Sequence, residues 1–113
     1  MIDKNLIRDI LAQYKKHGWI LSRVLLLPET EKNLGIAPDL LFGDVEVCRS
    51  NVDAVWFTRA STKNRVAWEL RHLSENPFAL FETFDQEIEK EVLMRSLTEM
   101  ETRLIEKSSN SGG

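Results

Sequence analysis

Residues 2–17 repeat their apolar positions with helical spacing. Ile2, Leu6, Ile10 and Tyr14 recur every fourth residue, with Ile7 and Leu11 beside them, and charged residues fall largely off that stripe. His17-Gly18 makes a stop, because glycine takes the left-handed conformation at a helix end and Lys15, Lys16 and His17 suit its negative pole. Residues 19–27 change period: only Ser22 and Arg23 are polar, the pattern of a central strand covered on both sides. Pro28 ends that run. One helical turn is expected over 29–34, stopped by Gly35, then a loop around Leu40-Leu41-Phe42 and a short strand at Val45-Glu46-Val47.

Residues 52–58 and 65–73 read as strands joined by a polar turn, and 78–84 as a third, giving an antiparallel meander. Asn76-Pro77 leaves the third open to a helical alternative, since proline suits a first helical position. Residues 85–107 lack glycine and proline and place Ile88, Val92, Leu93, Leu97, Met100 and Leu104 on one face. Thr83 and Gln86 have the spacing of a capping box before it. Residues 108–113, rich in Ser, Asn and Gly, read as a disordered tail after a single domain over 1–107.

Side chains alternate across a strand, so a register sorts the meander into two faces. With Trp56 opposite Trp68, one face collects both tryptophans, Leu70, Leu80, Phe78 and Phe84, the natural seat for both long helices. The other face carries Asp53, Val55, Phe57, Glu69, Arg71 and Phe81, with Asp53 across from Arg71 and Arg59 across from Arg65. Mixed apolar and charged, it fits a partner surface, or else a face covered by residues 28–47. The expected fold is therefore α+β: an antiparallel sheet of four or five strands, with an N-terminal helix and a long C-terminal helix packed on one face.

Length and charge narrow the classes. The chain has 113 residues, 42% of them hydrophobic, enough for one domain with its own core. Its longest apolar runs are four residues, as in Val24-Leu25-Leu26-Leu27, against about 20 for a membrane span. Residues 1–5 do not begin a secretory signal, and the lone Cys48 fits a reducing compartment, so a cytoplasmic setting is expected. The net charge is −3, and the acid is concentrated between Glu82 and Glu106, which argues against nucleic-acid binding.

Few residues are placed for chemistry. His17 and His72 lack metal-ligand spacing, nothing pairs either with Cys48, and no phosphate-binding glycine motif is present. Val52-Asp53-Ala54-Val55-Trp56 followed by Trp68-Glu69-Leu70-Arg71 distantly resembles the core of PD-(D/E)xK nucleases over about 20 residues. The resemblance implies that Asp53 and Glu69 hold a divalent metal that positions a water for phosphodiester attack. Arg71 stands where that family has lysine, and Asn51 precedes Val52 where Pro-Asp is common. Arginine keeps its proton and cannot serve as a base.

The function expected is a small, soluble, non-enzymatic protein-binding or adaptor domain without metal or cofactor. Asp53, Val55, Phe57, Glu69, Arg71 and Phe81 form its partner surface, and the partner is another protein or a second copy in a homodimer. The alternative is a PD-(D/E)xK-like nuclease, or a degenerate relative, with Asp53, Glu69 and Arg71 as its site. Dimerisation through Leu93, Leu97, Met100 and Leu104 is a third possibility.

Overall fold

The computed structural model describes residues 2–111. Its elements are α1 (Lys4–Lys16), β1 (Ile20–Leu26), α2 (Pro28–Asn33), α3 (Pro38–Phe42), β2 (Glu46–Arg49), β3 (Ala54–Ala60), β4 (Arg65–His72), β5 (Ala79–Asp85) and α4 (Lys90–Ser111). The five strands form one sheet in the order β2-β1-β3-β4-β5. All neighbours are antiparallel except β1 and β2, which run parallel. A parallel pair needs a crossover, and α2 and α3 lie in it. The α+β class therefore holds.

Local chemistry explains the boundaries. Asp3 caps α1 by accepting the Leu6 N–H at 2.9 Å. At the other end Trp19 N–H reaches Tyr14 C=O and Gly18 N–H reaches Lys15 C=O, both at 3.0 Å. That double closure needs a left-handed residue at position 18, and Gly18 supplies it with φ of 85°. Pro28 and Pro38 open α2 and α3, so Leu40-Leu41-Phe42 is helical where a loop is expected. The third run is a strand rather than a helix, over Ala79–Asp85, one residue later than the expected 78–84 at each end.

The expected capping box does not form. Thr83 lies in β5, where its Oγ1 accepts from Arg65 Nη2 at 2.9 Å, and α4 begins only at Lys90. Helix α4 then runs to Ser111, through the first part of the expected disordered tail; Gly112 and Gly113 lie outside the described residues.

The hairpin register differs by two residues from the expected one. Trp56 opposes Leu70 and Thr58 opposes Trp68, because the strands continue to Ala60 and resume at Arg65. Asn64, with φ of 66°, lets the short turn close. A shift of two preserves parity, so both faces keep their membership. It changes the partners, however: Arg71 opposes Val55 rather than Asp53, and Arg59 opposes Ala67 rather than Arg65, which removes a like-charge pair.

The helices do not share a face. One core joins Ile7 and Ile10 of α1, and Leu34, Leu41 and Phe42 of the crossover, to Val24, Leu26, Val55 and Phe57. The other joins Leu97, Met100 and Leu104 of α4 to Leu25, Ala54, Trp56 and Leu70. The sheet is thus the middle of three layers. Trp56 and Trp68 are neighbours, edge to face at 5.7 Å, beneath α4 alone; Trp56 is buried and Trp68 half-buried. The α4 face considered for dimerisation, Leu93, Leu97, Met100 and Leu104, packs on the sheet.

Three carboxylates tie the flanking helices to the sheet. Glu101 of α4 accepts the Trp56 indole N–H at 2.7 Å and lies 3.9 Å from Arg23, which also pairs with Glu46. Glu69 of β4 accepts the hydroxyl of Tyr14 on α1. Asp53, just before β3, accepts the Leu27 N–H at 2.8 Å and the Thr30 hydroxyl of α2 at 2.7 Å.

Because Phe57 lies between the sheet and α1, Phe57→Asp places an unpaired charge in the core and is expected to unfold the domain. Circular dichroism checks this; a variant with native secondary structure contradicts the burial.

Candidate functional site

The six residues of the expected partner surface are not one surface. Asp53, Val55 and Phe57 are buried under α1 and the crossover, Glu69 and Arg71 are half-buried, and Phe81 alone is exposed, at 55%. Residues 28–47, together with α1, supply the cover. The contiguous patch across Val55, Phe57 and Phe81 does not exist on this chain.

The nuclease-like arrangement is not assembled either. Asp53 N-terminal to β3 pairs its backbone C=O with Leu73, whereas Glu69 opposes Phe57. Four residues of extended chain separate the two positions, about 13 Å. Both Asp53 carboxylate oxygens are occupied by Leu27 and Thr30, and the Glu69 carboxylate is engaged by Tyr14. Arg71 donates to the adjacent His72 C=O. No group of three potential metal ligands converges among the described residues.

Proton chemistry is equally muted at these groups. Burial, then the hydrogen bond and charge of Glu69, push the Tyr14 phenol far above its ordinary value of 10.0, so it remains a neutral donor. Burial, then Glu46, raise the Cys48 thiol and keep it protonated. Cys48 on β2 and His72 on β4 are three strand spacings apart, about 14 Å, too far for a nucleophile–base pair.

Concavity lies elsewhere, around Trp19. The tight closure at Gly18 folds Trp19 back against α1, where it meets Tyr14 edge to face at 6.1 Å. Phe81 approaches it at 6.3 Å and 87°, and the Arg59 guanidinium sits 4.6 Å from its ring centre while donating to His17 C=O at 2.9 Å. Tyr14 itself stacks flat on Phe57 at 4.0 Å. The indole is thus fixed by three aromatic or cationic neighbours yet remains half-buried.

Two hollows share this indole. The larger, about 580 Å³, is walled by Leu11, Leu21, Leu41, Phe42 and Phe57, with Lys15 and Ile20 also in its lining. The smaller, about 340 Å³, is lined by Gln13, Tyr14, His17, Trp19 and Arg59. Both volumes fall in the range of ligand sites, roughly 300–1,000 Å³. Ile20 is 66% exposed, and Leu40, beside Leu41 on α3, is 72% exposed. Strand β1 starts at Ile20 but pairs with β2 only from Arg23, so Ile20, Leu21 and Ser22 precede the paired stretch on that side. At the opposite edge, Arg65 reaches across to the Thr83 C=O at 3.0 Å and its hydroxyl, placing a charge over β5.

The sequence reading missed Trp19 by absorbing it into a strand, and missed the roles of Lys15, Arg59 and Leu41. The available signal was an aromatic directly after a glycine stop and a Lys-Lys-His run. Comparison of the chain with known protein families, curated proteins and solved structures gives no match. No helix among the described residues is long and apolar enough to cross a membrane.

Two outcomes follow from these contacts. Asp53→Ala leaves Leu27 N–H and the Thr30 hydroxyl without their acceptor, so urea denaturation is expected to show a loss of about 1–3 kcal/mol, larger than for Thr30→Val. A loss below about 0.5 kcal/mol would show that these bonds do not hold the crossover.

Burial lowers the His72 pKa from 6.5, Asp53 opposing and Arg71 reinforcing the effect. The folded state therefore binds fewer protons than the unfolded one in mild acid. This contribution is fully present above pH 6.5 and is lost as pH falls through 6.5 toward the folded value. Denaturation midpoints across that window should decline in the wild type and flatten in His72→Gln.

Proposed function

We propose that this chain is a non-enzymatic binding domain that receives an extended segment of a partner protein at the Trp19 cleft. The observation carrying the reading is the apolar hollow of about 580 Å³ beside the first residues of β1, with Ile20 and Leu40 exposed nearby. Hollow and strand offer different halves of one recognition mode. An apolar side chain fills the hollow, and backbone groups pair along the short stretch of β1 that precedes β2. The fixed indole supports this use, because a wall already held by Tyr14, Phe81 and Arg59 loses little freedom when a ligand arrives.

The partner is foreign rather than a second copy in this reading, since Val55 and Phe57, on which the homodimer rested, lie inside the fold. A cytoplasmic setting accompanies it, on the strength of a single cysteine.

Selection of peptides from a displayed random library, followed by NMR shift mapping on the labelled domain, tests the reading. Shifts are expected at Lys15, Trp19, Ile20, Leu21, Leu41 and Phe42. An Ile20→Asp, Leu40→Asp double variant, altered only at exposed positions, should stay folded and weaken binding about tenfold or more. Failure to select binders, or shifts confined to α4 or β5, would defeat it.

A further inference from the structure

We infer that the segment received at the Trp19 cleft is acidic as well as apolar: a hydrophobic anchor flanked by an aspartate or glutamate that pairs with Lys15. This inference rests on the cleft reading and adds the chemistry of the occupant. Its basis is the charge around the hollows. Lys15 lines the larger, and His17 and Arg59 line the smaller; no carboxylate lines either. That is notable in a chain of net charge −3. Of the 18 acidic residues, four lie on α4, which packs on the opposite face of the sheet.

The negative pole of α1 is the main force against an anion here, and the local hydrogen bonding answers it. Three carbonyls at this end are already occupied. Tyr14 C=O accepts from His17 and Trp19, Lys15 C=O from Gly18, and His17 C=O from Arg59. Occupied carbonyls project less negative potential than open ones, so the ammonium and guanidinium groups set the sign of the recess. Arg59 spends one N–H on His17 and stays exposed at the rim, and Lys15 is exposed at the mouth. A carboxylate beside an apolar wall also meets its cation in a less watery setting than on an open surface, which strengthens the pair.

The peptides selected on the wild type decide the matter. Asp or Glu should be enriched next to the apolar anchor relative to the starting library, and selection on Lys15→Glu should lose that enrichment. For the best peptide, replacing the flanking acid by its amide should weaken binding about fivefold at low salt. The same replacement should change little in Lys15→Gln or in 0.5 M salt, roughly where screening acts within 4–5 Å. Peptides that map to the cleft without acidic enrichment, or whose amide forms bind equally well, would overturn this inference and leave the cleft reading standing. Peptides that map elsewhere would remove both.

Discussion

The architecture depends on β3 having no solvent side. Ala54, Val55, Trp56 and Phe57 are consecutive in an extended strand, so two point to each face, and all four are buried. A strand of that kind is stable only with a layer on both sides of the sheet. One amphipathic helix cannot meet that demand, and two helices on the same face cannot either. Helix α1 and the crossover therefore cover Val55 and Phe57, while α4 covers Ala54 and Trp56. The parallel pairing of β1 with β2 serves the same end, because it sends α2 and α3 across the sheet rather than into a tight hairpin.

Much of this was legible in the chain. The α1 stripe, its Gly18 stop, the meander and the inner face of α4 all come from spacing alone, since each element repeats its period several times. Face membership also survived a register error, because a two-residue slip keeps parity. The slip itself was not readable: it depends on Asn64 accepting a positive φ, which fixes the turn length but leaves no periodic trace. Placement of the helices failed for a different reason. The rule that marks 19–27 as covered on both faces applies equally to Ala54-Val55-Trp56-Phe57, where alternation was assumed instead. Applied there, it calls for cover over Phe57 and closes the surface expected of Val55 and Phe57.

The acidic residues that resemble a metal site owe their positions to the same three-layer demand. Asp53 fastens α2, Glu69 fastens α1 and Glu101 fastens α4, each by accepting a hydrogen bond from a neighbouring layer. A carboxylate near a core is costly unless its oxygens are occupied, and these bonds occupy them. Sequence spacing cannot distinguish an acid that waits for a cation from one that holds two layers together. Both favour a carboxylate beside an apolar strand; the difference lies in long-range partners such as Thr30 and Tyr14, which no local pattern reveals.

The Trp19 cleft is where the covering scheme runs out of chain. β1 has seven residues and β2 has four, and the first β1–β2 pair forms only at Arg23. On the same side, α3 ends at Phe42, because Gly43 takes φ of 78° and turns the chain away. Leu41 and Phe42 therefore reach the wall of the hollow without filling it, and the start of β1 extends beyond its short neighbour. The recess therefore stays open beside an indole that Tyr14, Phe81 and Arg59 hold in place.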